Sequence, residues 1–417
     1  MNLSTLLFAS SVVALTSVGD WPQYNGAAGD RASSEDLVCK DWSDGAPSVV
    51  WRIPTEAGFS SFAVAGERAF TLVGVEGAET LAAFRVEDGV ELWASNLSTA
   101  TYDGGGGAGA DGNQGGDGPR STPSVDGDRV YVFDASLVLH CVDAATGRQV
   151  WRRDVRADHK GQELRWQNAA SPLVEGDRVL VVGGGSGQSL LAFDKHTGKL
   201  AWSTGDELMT HATPIAATIH GRRQVIFYVQ SGLVACDPED GEELWRAEYP
   251  YKVSSAASPV VYEDMVYVSA GYGVGAGVFR IQAQDAGFRV ETLWQKRNKL
   301  INHWSTPVCH DGYLYGMFSF KKYGEGPLCC VSLETGEIQW TTPGFGPGNV
   351  IAVGETLVAL SDAGDVVLAK LDPKEYAELA RAHLVDGKCW SSPSFADGQL
   401  YVRSTQEGVR VDLSQAP

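Results

Sequence analysis

The stretch AFDKHTGKLAW, residues 192–202, decides how this chain is read. Residues 190–193 are a short apolar run, residues 194–198 a turn cluster, and residues 199–202 restart a strand that ends on a large aromatic. Thr197-Gly198 closes the turn, because glycine accepts positive φ without a Cβ penalty. The same strand–turn–strand recurs as CVDAATGRQVW (141–151), ACDPEDGEELW (235–245) and CVSLETGEIQW (330–340). A looser copy is AFRVEDGVELW (83–93). Self-similarity at this spacing marks a repeat architecture.

A second half-unit lies upstream of each copy. It reads Ser/Thr-x-Pro or Ser-Pro, then an alternating apolar strand, a Gly or Asp turn, and another strand. Examples are STPSVDGDRVYVF from Ser121, SPLVEGDRVLVV from Ser171, SPVVYEDMVYVS from Ser258, STPVCHDGYLYGM from Ser305 and SPSFADGQLYVRS from Ser392. One unit is thus four short antiparallel strands in roughly 40–50 residues, the size of a propeller blade. The expected fold is all-β, an eight-bladed β-propeller of four-stranded antiparallel blades. Outer strands end at Trp93, Trp151, Trp202, Trp245, Trp294 and Trp340, at a degenerate strand near residues 381–384, and at Trp51.

The two ends carry complementary defects. APSVVWRI (46–53) has no half-repeat before it, and the last blade stops at residues 408–413 without an outer strand. The N-terminal strand is therefore expected to complete the last blade, which removes the open sheet edges. The insertion LDPKEYAELARAHL in blade seven is expected to hold the one helix, with Asp372 as N-cap, Pro373 at N1 and Glu375 at N3.

The chain of 417 residues divides into an expected signal peptide (1–19), a Gly/Asp-rich lead-in lying across one face (20–45) and the propeller (46–417). The run from Leu6 to Val18 is too short to span a bilayer, and Ser17-x-Gly19 supplies the small residues of a cleavage site. Export to the periplasm or medium is expected, with no membrane span. No cysteine lies beside the cleavage point, so no lipid anchor is expected either. Net charge is −19, which disfavours nucleic acid as a partner. Seven cysteines without regular spacing are not a disulfide framework, and adjacent Cys329 and Cys330 should point to opposite faces of a strand. The eight histidines show no zinc spacing and no GxSxG elbow is present. Asp158-His159 reads as a surface loop. Gly106 to Asp111 (GGAGAD) fits the start of a calcium-binding nonapeptide, but one copy builds no calcium roll, so it reads as loop. Residues 183–187 and 271–277 are glycine-rich turns between strands rather than phosphate loops.

These repeats resemble the A-x-D-x-x-T-G-x-x-x-W motif of the pyrroloquinoline quinone (PQQ)-like propeller superfamily. Ala192, Asp194, Thr197, Gly198 and Trp202 match it fully. The resemblance implies one of two functional classes. One is the non-enzymatic scaffold, as in the BamB-type members, which binds a protein or small ligand and no cofactor. The alternative is a quinoprotein-type alcohol or sugar oxidoreductase, which would bind PQQ with calcium. No haem CxxCH and no recognisable calcium or catalytic-Asp segment is present, so the scaffold is the expectation, as a monomer with no catalytic residue and no metal site.

The candidate site follows from the fold. The first strand of each blade lines the central channel, so residues just before each Ser-x-Pro ring one mouth of it. They are Arg120, Gln167, Asn168, His211, Ser255, Asn302, His303, Trp304, Cys389 and Trp390. Arg120 and His303 are expected to contact an anion or carbonyl, and Trp304 and Trp390 to stack. Tyr102 and Trp166, on two long loops, are expected to overhang the same mouth.

Overall fold

In the computed structural model, which describes residues 19–415 apart from 44, 57, 100–117 and 163, the repeat follows its turn chemistry. Asp194 Oδ1 accepts from the Thr197 backbone N–H at 2.8 Å and from its hydroxyl at 2.7 Å. Gly198 turns the chain at φ +64°. The hydrogen bonds from Thr197 hold the Asp194 carboxyl below the usual carboxylate range. A bulge in the strand after the turn sets Trp202 opposite Ala192 and Leu200 opposite Phe193. The residue facing the tryptophan is also small in other copies, Ala83, Cys141, Ala235 and Cys330, which leaves room for the indole.

The described residues form eight blades of four antiparallel strands, ordered in sequence from channel to rim. Blade three is typical: Leu173–Glu175, Arg178–Val182, Leu190–Asp194 and Leu200–Thr204. The two middle strands are almost wholly buried between neighbouring blades, and the outer one alternates. Blade eight joins Ser394–Ala396, Gln399–Arg403 and Glu407–Asp412 to the N-terminal strand Val49–Pro54, in which Trp51 pairs with Arg410. The closure is the one that the complementary ends imply.

Most blades are bonded to the next at both rims, although the Trp245 indole of blade four donates to Gln224 of its own blade and the outer strand of blade seven carries no tryptophan. On the outside, the Trp202 indole N–H donates to the Pro238 carbonyl of blade four at 2.9 Å. Trp51, Trp93, Trp151, Trp294 and Trp340 make the same bond to the blade that follows theirs. On the inside, the Ser/Thr of the Ser-x-Pro motif performs the corresponding task. The Thr122 N–H donates to Ser171 Oγ at 2.8 Å, Ser171 to Thr213 Oγ1, Ser258 to Thr306 Oγ1 and Ser392 to Ser61 Oγ. These hydroxyls accept from buried inner-strand N–H groups that have no partner in their own blade.

Three expectations need correction. No helix forms from Asp372. Its side chain accepts from the Lys374 N–H, its carbonyl is taken by Trp340, and the chain returns by a bond from the Lys370 N–H to the Ala377 carbonyl. The outer strand of blade seven, Glu378–His383, begins directly after this turn. The helix that does occur is a single turn, Val155–Asp158, capped by Asp154. His159 behind it is buried, edge-on to Phe193, and its Nδ1 lies 3.0 Å from Gln188 Oε1. The third correction concerns the lead-in, which does not merely cross a face. Trp21 exchanges backbone hydrogen bonds with Val64, the Val125 N–H donates to the Pro22 carbonyl, and Ala32–Ser33 adds a fifth, parallel strand to the inner strand Asn349–Val353 of blade seven. The segment runs along the inner strands and fills the channel toward the end where those strands finish.

Arg31 anchors this plug. Its guanidinium is buried, donates to the Val350 carbonyl at 2.9 Å and to Ser392 Oγ at 2.6 Å, and sits 5.3 Å from the centre of the Tyr24 ring. Burial pushes its pKa down, and interaction with Tyr24 works against that. The expected signal peptide and the glycine-rich loop with Gly106, Asp111 and Tyr102 lie outside the described residues. Cys329 and Cys330 are both free thiols, packed into different core clusters on the two faces of their strand.

Candidate functional site

Strand parity brings two sets of loops to the mouth where the Ser-x-Pro motifs sit. One set precedes each inner strand; the other joins the second and third strands of each blade. Together they enclose an open cleft. Arg120, His211, His303, Trp304 and Trp390 line it, as does Trp166 from the long blade-two connection. Tyr24 of the lead-in plug reaches it from the channel, so the N-terminal segment forms part of its lining.

The other ringing residues do not line it. Asn168 is buried, donating to the Phe133 and Ala170 carbonyls and accepting from the Ala170 N–H. Asn302 donates to the Met317 carbonyl and accepts from the Tyr267 hydroxyl. Ser255 donates to the Ser269 carbonyl. These side chains are buried and tie loops to blades rather than facing a ligand. Gln167 is not among the lining residues and stands on left-handed backbone at φ +58°, and Cys389 is buried, its thiol pushed up by desolvation.

Four lining residues fall outside the ring read from the Ser-x-Pro positions. Phe59 precedes the inner strand of blade one, Tyr272 lies in the 271–274 turn, and Lys321 and Tyr323 lie in the 318–327 loop. For Tyr272, Lys321 and Tyr323 the signal was present as aromatic and lysine residues beside glycines in second-to-third-strand turns, which by parity return to this mouth.

Aromatic rings dominate the cleft. Trp390 is its centre, with Phe59 stacked at 4.8 Å, Trp304 at 4.5 Å and Tyr323 at 6.0 Å between ring centroids. The Trp304 indole is fixed by its bond to the Pro347 carbonyl, whereas the buried Trp390 Nε1 has no hydrogen-bond partner among the described residues. Tyr272 packs edge-on to His303, and Lys321 lies over both Tyr272 and Phe320. Trp166, Tyr272 and Lys321 all stand on left-handed backbone, at φ +68°, +57° and +56°. Each such non-glycine residue carries a cost on the order of 1 kcal/mol, a kind of strain that concentrates at binding and active sites.

The electrostatics are one-sided. Burial lowers the His303 pKa to about 3 and the His211 pKa to about 4, so both imidazoles are neutral at pH 7. The Arg120 charge pushes His211 further in the same direction, and His211 and Lys321 do so for His303. The charged lining groups are Arg120 and Lys321; none of the lining residues is a carboxylate. Ser254 Oγ lies 3.2 Å from His211 Nδ1, and His211 Nε2 lies 3.0 Å from the Arg165 carbonyl. That carbonyl can only accept, so Nε2 carries the proton and Nδ1 accepts from the serine. A base with a pKa near 4 activates a hydroxyl poorly at pH 7. The chemistry that this cleft suits is recognition, by stacking and by attraction of negative charge.

The family profile described as outer membrane protein assembly factor BamB matches residues 77–342, well over half of the chain. The chain belongs to this family. Among curated BamB-family relatives, the assembly factor BamB of Yersinia pestis is 23% identical over 265 residues, 59% of this chain and 62% of that protein. The BamB of Shewanella oneidensis is 24% identical over 255 residues, again covering 62% of the relative. The chain thus matches a little under two-thirds of these relatives' length. In structure, BamB from Moraxella catarrhalis superposes with a TM-score of 0.63 at 17% identity, over 89% of this chain and 99% of that one. Quinohemoprotein alcohol dehydrogenase from Comamonas testosteroni superposes with a TM-score of 0.66 at 13% identity, over 97% of this chain and 82% of that one. Identities this low establish the shared propeller fold, on which BamB-type and quinoprotein chains both stand.

Proposed function

We propose that this BamB-family propeller is an exported, non-enzymatic binding module, with the aromatic cleft at the channel mouth as its docking site. The carrying observation is the convergence of Trp166, Tyr272, Lys321, Trp304 and Trp390 from separate loops on one concave surface, three of them on strained backbone. Membership in a family described as an outer membrane assembly factor supports a protein as the partner. Among the described residues no helix is long and apolar enough to cross a membrane, and export rests on the N-terminal sequence.

The quinoprotein alternative is favoured by one feature, the stacking faces beside two cations, which suit a flat anionic quinone such as PQQ. When bound, such a cofactor supplies two-electron oxidation. The calcium that accompanies it in the quinoprotein reading has no fitting donor set here. The lining carries no carboxylate, and no group of three or more metal-ligating side chains occurs among the described residues.

The test is a double substitution, Arg120→Ala with Trp390→Ala, in affinity capture of partners from the native host. Loss of the wild-type partners by a folded variant is the expected result. Capture that survives would move the functional surface to the blade rims. Titration with PQQ plus calcium, read by absorbance and alcohol oxidation, separates the alternative.

A further inference from the structure

The loops of blades four to six beside the cleft carry a charge pattern opposite to that of the whole chain. The sequence has 52 acidic against 33 basic residues. Yet Lys252, Arg297, Lys299, Lys321 and Lys322 are all exposed on this face, and none of them makes an ion pair among the described residues. Several cations elsewhere are paired with carboxylates. On the opposite face Arg129 is 2.7 Å from Asp128, Arg222 is 2.6 Å from Asp237, and Arg280 is 3.3 Å from Glu334.

The unpaired cations follow a continuous surface. A cleft between blades four and five is lined by Tyr251, Lys252, Tyr272 and Arg297. A second, between blades five and six, is lined by Lys299, Phe318, Phe320 and Lys322. Lys296 and Asn298 line both clefts, and Tyr272 joins the first to the mouth pocket. Lys321, lying over Tyr272 and Phe320, bridges the second to the same pocket. Two carboxylates border this surface, Glu325 in the loop and Glu337 at the outer end of the second cleft. Asn298 and Leu300 extend the left-handed backbone seen in the pocket, at φ +56° and +53°.

We propose that the mouth pocket and these two clefts together receive an extended, acidic polypeptide segment, with an aromatic side chain seated in the pocket against Trp390. The inference rests on the reading of the mouth as the binding face and names the chemistry of what binds there. Like charges left unpaired side by side repel one another, and an anionic partner relieves that repulsion while steering its own approach. A track across three blades exceeds the needs of a small anion, and an extended chain can follow it. The −19 net charge opposes a long nucleic acid, whose charge would reach well beyond this patch.

The test uses the full chain and labelled peptides, with anisotropy as the readout. The probe is one phenylalanine flanked on each side by five glutamates. Controls replace the glutamates with lysines, or the phenylalanine with alanine. Binding of the acidic probe should weaken several-fold between about 50 mM and about 200 mM salt. It should fall on the order of tenfold or more in Lys299→Glu with Lys322→Glu, two exposed sites whose replacement leaves the core untouched. The lysine peptide should not bind. Equal affinity in wild type and the charge-reversed variant, or no binding of the acidic probe at all, overturns the proposal. So does tighter binding of a deoxythymidine oligonucleotide or of phosphatidylglycerol vesicles through the same lysines. Trp390→Ala separates the two readings. Binding that needs the lysines but is indifferent to Trp390 and to the phenylalanine overturns the pocket as docking site. Binding that needs Trp390 but not the lysines overturns only the acidic track.

Discussion

Replacing Trp202 tests whether the outer tryptophans hold neighbouring blades together. The side chain is 7% exposed, its N–H is bonded to the Pro238 carbonyl at 2.9 Å, and its ring lies on Gly241. Trp202→Ala removes a buried ring and should cost about 3–5 kcal/mol. Trp202→Phe keeps most of the buried area but leaves the carbonyl unpartnered, for about 1–3 kcal/mol. Gly241 supplies the other half of a cycle. A Cβ there would lie 2.6 Å from the indole, on backbone at φ +78°. Gly241→Ala should therefore combine a steric clash with a left-handed penalty of about 1–2 kcal/mol. In a Trp202→Ala background only the backbone penalty should remain, so the two substitutions couple strongly. Urea unfolding followed by far-ultraviolet circular dichroism gives midpoints and slopes for all five proteins. Additive costs, or a Trp202→Ala change within about 0.5 kcal/mol of wild type, would refute the contact as the link between blades three and four.

Deleting residues 20–53 should open blade eight and uncover the channel plug, giving a chain without a cooperative unfolding transition; a deletion protein that melts like the full chain refutes the closure. Arg31→Ala should destabilise by several kcal/mol, because it strips buried Val350 and Ser392 of their charged donor, and an unchanged urea midpoint would show that the plug contributes nothing. His211 and His303 have folded pKa values of about 4 and about 3, below the ordinary 6.5, so the unfolded chain takes up their protons first as pH falls. The stability they confer is complete above about pH 6.5 and is lost toward the folded values, at about 1.4 kcal/mol per pH unit for each group. His303→Phe should therefore show a shallower fall in urea midpoint between pH 6.5 and 4 than wild type, and parallel profiles would refute the buried neutral imidazole.

The blade was legible in the sequence because its determinants are local. Asp194, Thr197 and Gly198 specify one turn, the period of two specifies the strands, and a small residue opposite Trp202 accommodates the indole, all within a dozen positions. The closure by Trp51 was legible for a different reason: two ends with complementary deficits have one economical solution in a ring. The expected helix at Asp372 failed because its capping signals compete with tertiary partners, the Trp340 indole and the strand that follows. The mouth was legible only in part. Position before Ser-x-Pro identifies which residues reach the mouth, but not whether their hydrogen-bonding capacity is already used. Asn168 and Asn302 are buried and bonded to carbonyls distant in sequence, whereas the Trp390 N–H has no partner among the described residues. The insertion of Tyr24 and Arg31 into the channel, and the union of Tyr272, Lys321 and Trp390 in one cleft, depend on closing eight blades into a ring. Local propensity determined the blade, and only the closed ring, by bringing loops from distant repeats within contact distance, decided the site.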